Sequence, residues 1–168
     1  MPRIIENLSE RLMAEARRQI EEFGYGAMTV RSVAKGCGVG VGTVYNYYPS
    51  KDALVASFML SDWNECMKEA RCCAQTAQDP VAVLKAMHGG LLRFLKLHER
   101  IFRDEAAASS FSRTGGAYHT KLRNQLAEPL GKFCADAFTA EFIAEALLTW
   151  TVEGKSFDEL SHIFLHLF

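Results

Sequence analysis

The sequence has 168 residues, of which 49% are hydrophobic and 23% are charged, and its formal net charge at pH 7 is -1. This length and apolar content allow one compact domain, or a small domain joined to a larger one. The near-neutral balance gives no overall sign of a nucleic-acid-binding protein, although a local basic patch stays open. The 5 cysteines are odd in number and form no Cys-x-x-Cys pair, which favours reduced thiols over a disulfide framework.

The beginning of the chain predicts neither export nor membrane insertion. Charged residues interrupt the first segment, MPRIIENLSERLMAEARR, and no later apolar run approaches the length of a membrane span. We therefore expect a cytoplasmic protein without a membrane partner.

Hydrophobic periodicity predicts an all-α protein. From Ile5 to Phe23, apolar residues recur every three or four positions, and glycines follow as stop signals. Thr29 is placed to cap a short second helix. A third helix begins near Val41, and Ser50 is placed to cap a long fourth helix.

The remaining helices are expected after a break at Asp79-Pro80. Apolar stripes predict helices over 81–97, 101–109, 119–138, 141–151 and 156–168. The candidate domain boundary lies near Ser50. It divides the chain into an N-terminal domain over 1–50 and a helical C-terminal domain over 51–168.

Alternating glycines in the stretch KGCGVGVGTVYNYYPSKDAL raise the possibility of a phosphate-binding loop. Such a loop needs a buried strand before it and the spacing Gly-x-Gly-x-x-Gly, or a Gly-Lys-Ser/Thr ending, and neither is present. The glycines are better explained by a sharp turn between two short helices. Gly38 is the residue expected to adopt the left-handed conformation there.

The residues around this turn have the spacing of a helix-turn-helix. Small and apolar side chains occupy the positions where its helices touch each other and the core: Val33, Ala34, Cys37, Val39 and Val44. Tyr48 would join the same buried face, with Ile20 and Phe23 of the first helix as cover. The outward face of the third helix is small, polar and aromatic, which suits the major groove of DNA.

The stretch FGYGAMTVRSVAKGCGVGVGTVYNYYPSKDAL resembles the N-terminal DNA-binding domain of the TetR family of transcriptional regulators. The resemblance covers about the first third of the chain. It implies a DNA-binding domain and a C-terminal helical domain that binds a small-molecule effector and forms a homodimer. It also implies a repressor that binds a palindromic operator in double-stranded DNA and is released when the effector binds.

The resemblance also assigns DNA contacts by position. Thr29 and Lys51 match phosphate-contacting places, and the recognition-helix contacts match Gly42, Tyr45, Asn46 and Tyr47. Two more residues complete the predicted set: Arg31, for its charge near the reading face, and Thr43, for its place on the outward face of the third helix. Two positions depart from the family pattern: Gly40 stands where serine is usual, and Val41 stands where a polar or basic residue is frequent.

Two further sets are predicted in the C-terminal part. The first would surround an apolar or aromatic effector and consists of Phe58, Trp63, Met67, Met87, His88, Phe94, Phe102, Phe111 and Tyr118. The second forms apolar stripes on the last two helices, which would pair with their copies across a two-fold axis. Its members are Ile143, Leu147, Trp150, Leu160, Ile163, Phe164 and Leu167.

Other chemistries find less support. Cys66, Cys72 and Cys73 leave a thiol- or metal-responsive regulator open as an alternative, but on one helix they do not share a face. His162 and His166 have metal-binding spacing and are interpreted as solvent-facing. We expect no metal, no cofactor and no enzymatic activity, because no catalytic motif is assembled. A helical adaptor that binds protein is the other alternative function.

Overall fold

The computed structural model describes the backbone of residues 7–114 and 116–168, and the side chains of these residues except 111–119. Within these ranges the chain is helical and contains no strand, so the all-α prediction is confirmed. The helices are α1 (Leu8–Phe23), α2 (Val30–Cys37), α3 (Val41–Tyr47), α4 (Lys51–Cys66), α5 (Lys68–Thr76), α6 (Pro80–Leu97), α7 (Glu99–Phe102), α8 (Glu105–Thr114), α9 (Gly116–Ala127), α10 (Ala137–Val152) and α11 (Phe157–Phe164). None of these described helices is long and apolar enough to cross a membrane.

The chain forms two compact units that are interleaved in sequence. Unit 1 contains the residues up to Ser61 together with His98–Arg113, and unit 2 contains Asp62–Leu97 and Thr114–Phe168. The boundary predicted near Ser50 therefore falls inside unit 1.

The core of unit 1 is built from α1 to α4 and from the α7–α8 segment. Leu12, Ala16, Val33 and Val44 are fully or almost fully buried, and Ile101 and Ala107 are buried with them. The prediction that Phe23 covers this core is wrong, because its side chain is 64% exposed. α1 ends at Phe23, and Gly24 follows with φ at 86°. Tyr25 and Met28 of the following connection are buried in place of Phe23.

Unit 2 packs α5 against α6 and α10 against α6 and α9. The close approach near the start of α5 depends on Gly90, where a Cβ atom would lie 2.5 Å from the carbonyl oxygen of Cys66 and would overlap Met67. Tight packing of this kind needs a residue without a side chain.

The predicted continuous helices over 119–138 and 101–109 are interrupted. After α9, a short 3-10 helix over Glu128–Leu130 contains Pro129, which cannot continue the α-helical hydrogen bonding. Asp136 then begins α10 by accepting the Thr139 N–H at 2.7 Å. Asp104 interrupts the other helix, because its carboxylate caps α8 through the N–H groups of Ala106 and Ala107.

Candidate nucleic-acid interface

The helix-turn-helix begins with a reciprocal cap on α2. The N–H of Ser32 donates to Thr29 Oγ1 at 3.0 Å, and the N–H of Thr29 donates to Ser32 Oγ at 3.0 Å. Thr29 is thus the predicted N-cap and, as an exposed residue at a helix N-terminus, stands where a phosphate would be favoured.

The turn between α2 and α3 is set by Gly38. Its φ of 69° and ψ of 32° are left-handed, as expected, and the N–H of Val39 donates to the Ala34 carbonyl at 3.0 Å. The N–H of Gly38 also donates to the Lys35 carbonyl at 3.2 Å, which completes the bond pair typical of a left-handed helix end. α3 then begins at Gly40 without any side-chain cap.

α3 has one buried seam and one outward face. Val44 and Tyr48 are buried, and the Tyr48 hydroxyl lies 2.7 Å from Ser9 Oγ on α1. The predicted outward positions are exposed or half-exposed, with exposed side chains at Tyr45, Asn46 and Tyr47, exposed backbone at Gly42, and half-buried Val41 and Thr43. The outward face of α3 is thus polar and aromatic, and the opposite side of the helix is fixed by the burial of Val44 and Tyr48.

α1 holds α2 through a polar network that sequence reasoning did not find. Gln19 is buried, accepts the Ser32 hydroxyl at 2.5 Å and donates to Glu15 at 2.7 Å. Hydrogen bonds from Arg18 and Gln19 lower the pKa of Glu15 to about 2. Arg11 adds a bond of 3.0 Å to the Cys37 carbonyl at the end of α2. A lone glutamine in an amphipathic helix carries no pattern that signals its burial.

Lys51 is only partly available for a phosphate. Its ammonium donates to the Tyr25 carbonyl and lies 3.9 Å from the centre of the Tyr25 ring. Burial lowers the pKa of Lys51. Because an ammonium has three donors, the hydrogen bond to Tyr25 leaves others for a further acceptor.

Residues of the α7–α8 segment form hydrogen bonds with the connection before α2 and with the start of α4. Sequence reasoning did not find these bonds. Asp52 accepts hydrogen bonds from the Tyr25 hydroxyl and from the Ser110 hydroxyl. Burial and the neighbouring Asp52 raise the pKa of Tyr25 to about 12. Asp104 accepts the Gly26 N–H at 3.2 Å. The connection before α2 and the start of α4 are therefore both bonded to residues more than fifty positions later in the chain.

The exposed basic side chains of α1 and α2 differ in whether they form ion pairs. Arg18 on α1 is paired with Glu15 and Glu22. Arg31 and Lys35 on α2 are exposed and form no ion pair with any described residue. Arg31 and Lys35 therefore leave positive charge on α2 that can meet an anion.

The predicted effector residues are divided between the units. In unit 2, Trp63, Met67, Met87, His88 and Phe94 are buried, with Trp63 edge-on to Phe94 at 5.2 Å between ring centres. In unit 1, Phe58 is buried and stacks on His98, and Phe102 is 48% exposed. The side chains of Phe111 and Tyr118 lie outside the described residues.

Two observations weigh against the predicted effector residues as a preformed binding site. The His88 ring bonds the Lys155 carbonyl at 3.1 Å through Nε2, so its polar atom already has a partner. A surface cleft of about 260 Å³ in unit 2 is lined by none of the predicted residues; its lining is Arg71, Ala74, Gln75, Glu128, Pro129 and Lys132.

The predicted dimer residues are also divided. Ile143, Leu147, Leu160 and Phe164 are buried within the protomer and cannot offer surface to a partner, which corrects that part of the prediction. Trp150, Ile163 and Leu167 are 48%, 63% and 39% exposed. α10 and the end of the chain expose further apolar side chains: Phe138, Phe142, Val152, Leu165 and Phe168.

The cysteines and histidines of the described residues form no local metal site. Cys66 ends α4 whereas Cys72 and Cys73 lie on α5, so the expectation that they share one helix is wrong. All described cysteines are free thiols, and burial raises the pKa of Cys66. His162 and His166 are exposed, and the described residues contain no cluster of three or more metal-ligating side chains.

The geometry of α2, the left-handed turn and the exposed face of α3 defines a helix-turn-helix protein. A sequence model described as "Bacterial regulatory proteins, tetR family" matches residues 12–58. Over these residues, which contain the helix-turn-helix, the chain is similar to the TetR family of transcriptional regulators.

Known relatives share this N-terminal segment and the fold. The HTH-type transcriptional regulator UidR of Escherichia coli is 28% identical over 61 residues, which cover 36% of this chain and 31% of UidR. The match therefore spans less than a third of UidR. The fatty acid degradation regulator FadR from Bacillus halodurans has a TM-score of 0.59 at 20% identity, covering 90% of this chain and 89% of FadR.

A second solved structure extends the likeness. A TetR/AcrR-type transcriptional regulator from Aquifex aeolicus has a TM-score of 0.60 at 16% identity, covering 92% of this chain and 93% of its own. At these identities the likeness concerns the fold alone, over the 90% to 92% of this chain that the two comparisons cover.

Proposed function

We propose that this chain is a sequence-specific DNA-binding transcriptional regulator that acts in the cytoplasm as a homodimer. α3 enters the major groove of a palindromic operator, and a small apolar or aromatic effector bound by the C-terminal part releases the DNA. The protein acts as a repressor in this proposal, and no enzymatic step is involved.

The observation that carries this proposal is the exposed face of α3. Its side chains serve two kinds of contact: Asn46 can pair with adenine through two hydrogen bonds, while Tyr45, Tyr47 and Thr43 offer hydroxyls. The capped start of α2 at Thr29, with Arg31 beside it, suits the adjacent phosphates. Gly42 keeps the middle of the face free of a side chain, and a Cβ atom there would meet nothing within 4 Å.

The exposed apolar side chains of α10 and α11 support the homodimer. Exposed aromatic and aliphatic residues of this size mark an interaction surface when they lie together on neighbouring helices. Phe142 and Trp150 lie on α10, and Ile163 lies on α11. Because α10 packs against α11, one two-fold axis can bring both helices against their copies. Two recognition helices would then be about 34 to 36 Å apart, one turn of DNA.

The buried aromatic and thioether side chains of unit 2 support an apolar effector. Trp63, Met67, Met87 and Phe94 supply polarizable surface that fits an apolar or aromatic molecule. Entry of such a molecule requires these side chains to rearrange, which is the physical means by which an effector would shift the conformation.

The test of DNA binding starts from enrichment of a randomised duplex library by the full-length chain, followed by mobility shift with the enriched site. Asn46→Ala should weaken binding by about 1 to 3 kcal/mol and flatten the preference at one base pair. Lys51→Ala should weaken all sequences alike and lower the salt slope by about one. Asn124→Ala and Lys121→Ala, exposed residues of α9, are the matched controls and should bind like the unmodified chain.

The outcomes separate the alternatives. Enrichment of no sequence, with weak binding that salt abolishes, would refute the proposal and favour a protein-binding adaptor. Unchanged binding by both variants, with helicity intact, would refute the docking of α3.

The dimer is tested separately by sedimentation. Ile163→Glu combined with Leu167→Glu should give monomers and abolish tight operator binding while α1 to α3 stay folded. Leu92→Glu combined with Leu97→Glu changes exposed apolar residues of α6 in the same way and should stay dimeric. A dimeric first variant, or an unmodified chain that is monomeric at micromolar concentration, would contradict the interface.

A further inference from the structure

The leading end of α3 has no polar side chain before Thr43. Its N-cap is Gly40, which makes no side-chain hydrogen bond, and its first two helical residues are Val41 and Gly42. The N-terminal residues of a recognition helix are the ones that reach base edges. Among side chains, only the methyl groups of Val41 and the short side chain of Thr43 are available at this end.

Val41 is held in place rather than free in solvent. Its side chain is half-buried and packs against the core of unit 1. A β-branched residue in a helix has one strongly preferred rotamer, so its exposed methyl surface is presented in a fixed direction. Val41 also precedes Tyr45 by four residues, which places both on one side of α3.

We propose, on the basis of the proposed DNA-binding function, that Val41 reads the 5-methyl group of a thymine in each operator half-site. In the major groove this methyl group is the one apolar feature of a base pair, and it is recognised by apolar contact.

The size of the effect follows from the burial of one methyl group. Loss of about one buried methyl or methylene contact corresponds to roughly a fourfold loss of affinity. A symmetric operator contains the contact twice, so removal from both half-sites gives roughly a fifteenfold loss.

The experiment replaces each thymine of the enriched duplex by deoxyuridine, which lacks the methyl group and keeps the hydrogen-bonding pattern. The unmodified full-length chain should lose about fourfold per half-site at one thymine position. Val41→Ala should bind the thymine and uracil duplexes equally well. Because the comparison is made within one protein, a variant that is less stable still reports the ratio correctly.

The matched control is Val39→Ala. Val39 is a half-buried valine of the turn that packs on the same core, two residues before Val41. This variant should keep the full thymine-to-uracil ratio even where its overall affinity falls.

The results that overturn the proposal are distinct. No loss at any thymine, the same ratio in Val41→Ala as in the unmodified chain, or an enriched site without thymine in its half-sites would overturn the role of Val41 and leave DNA binding intact. Enrichment of no sequence at all would overturn the proposed function and this inference with it.

Discussion

Replacement of Gly38 by valine tests whether the turn positions α3 through backbone conformation alone. Gly38 has φ at 69°, and a Cβ atom at this position would meet no atom within 4 Å. The Cβ atom therefore has room, and the effect expected of the substitution comes from forcing a side chain into the left-handed region. This conformation costs an L-residue roughly 1 to 2 kcal/mol.

The neighbouring glycine provides the matched control. Gly40 has φ at -71° and ψ at 147°, which any residue adopts, and Thr43 Oγ1 would lie 3.8 Å from a Cβ atom there. Gly40→Ser adds an N-cap to α3 and should stabilise it by about 0.5 kcal/mol. Gly38→Asn should recover most of what Gly38→Val loses, because asparagine tolerates the left-handed conformation.

The suitable assay is amide hydrogen exchange of the segment from α2 to α3, measured by mass spectrometry on the full-length chain. Gly38→Val should lower the free energy of local opening by about 1 to 2 kcal/mol, and operator affinity should fall with it. If Gly38→Val protects these amides as well as the unmodified chain, or Gly40→Ser loses as much protection, the reasoning is refuted.

Three further predictions concern packing, capping and acid sensitivity. Gly90→Ala should destabilise unit 2 by about 1 to 3 kcal/mol, followed by the fluorescence of its two tryptophans, whereas Gly89→Ala, with only an ordinary contact at 3.5 Å, should not. Thr29→Ala should cost about 1 kcal/mol in urea unfolding, and an unchanged midpoint would contradict the capping bonds. Because the folded-state pKa of Glu15 is about 2, its stabilising effect is complete above the ordinary value of 4.5 and lost as pH falls towards 2. Glu15→Gln should therefore flatten the acid-unfolding curve between about pH 5 and 2, and an unchanged curve would disprove the role of its bonds to Arg18 and Gln19.

Local patterns in the sequence were sufficient to predict the helix-turn-helix. The cap at Thr29 and the left-handed Gly38 depend on residues within a few positions of one another, and the spacing of Val44 and Tyr48 puts both on one side of α3. Interactions of this range leave a readable spacing, and the structure confirms each of them.

Long-range contacts were not predictable in this way. Asp104 and Ser110 bond residues 78 and 58 positions earlier, and nothing in their local sequence signals those partners. The prediction that Ile143 and Leu147 of α10 face a partner failed for a different reason. This helix is apolar both on its buried side, at Ile143, and on its exposed side, at Phe142. Periodicity identifies the helix but does not distinguish which apolar side the protomer itself covers.

The interleaving of the two units has a consequence for the order in which the protein is made. During synthesis the α1–α3 segment leaves the ribosome long before Ile101, Ala107 and Ser110, which complete its core and its hydrogen bonds. α5 and α6, which belong to the other unit, emerge in between. The nascent helix-turn-helix therefore reaches full stability only after about half of the remaining chain has been synthesised. A stalled or truncated product that ends before α7 would expose the buried face of α4 to aggregation and proteolysis.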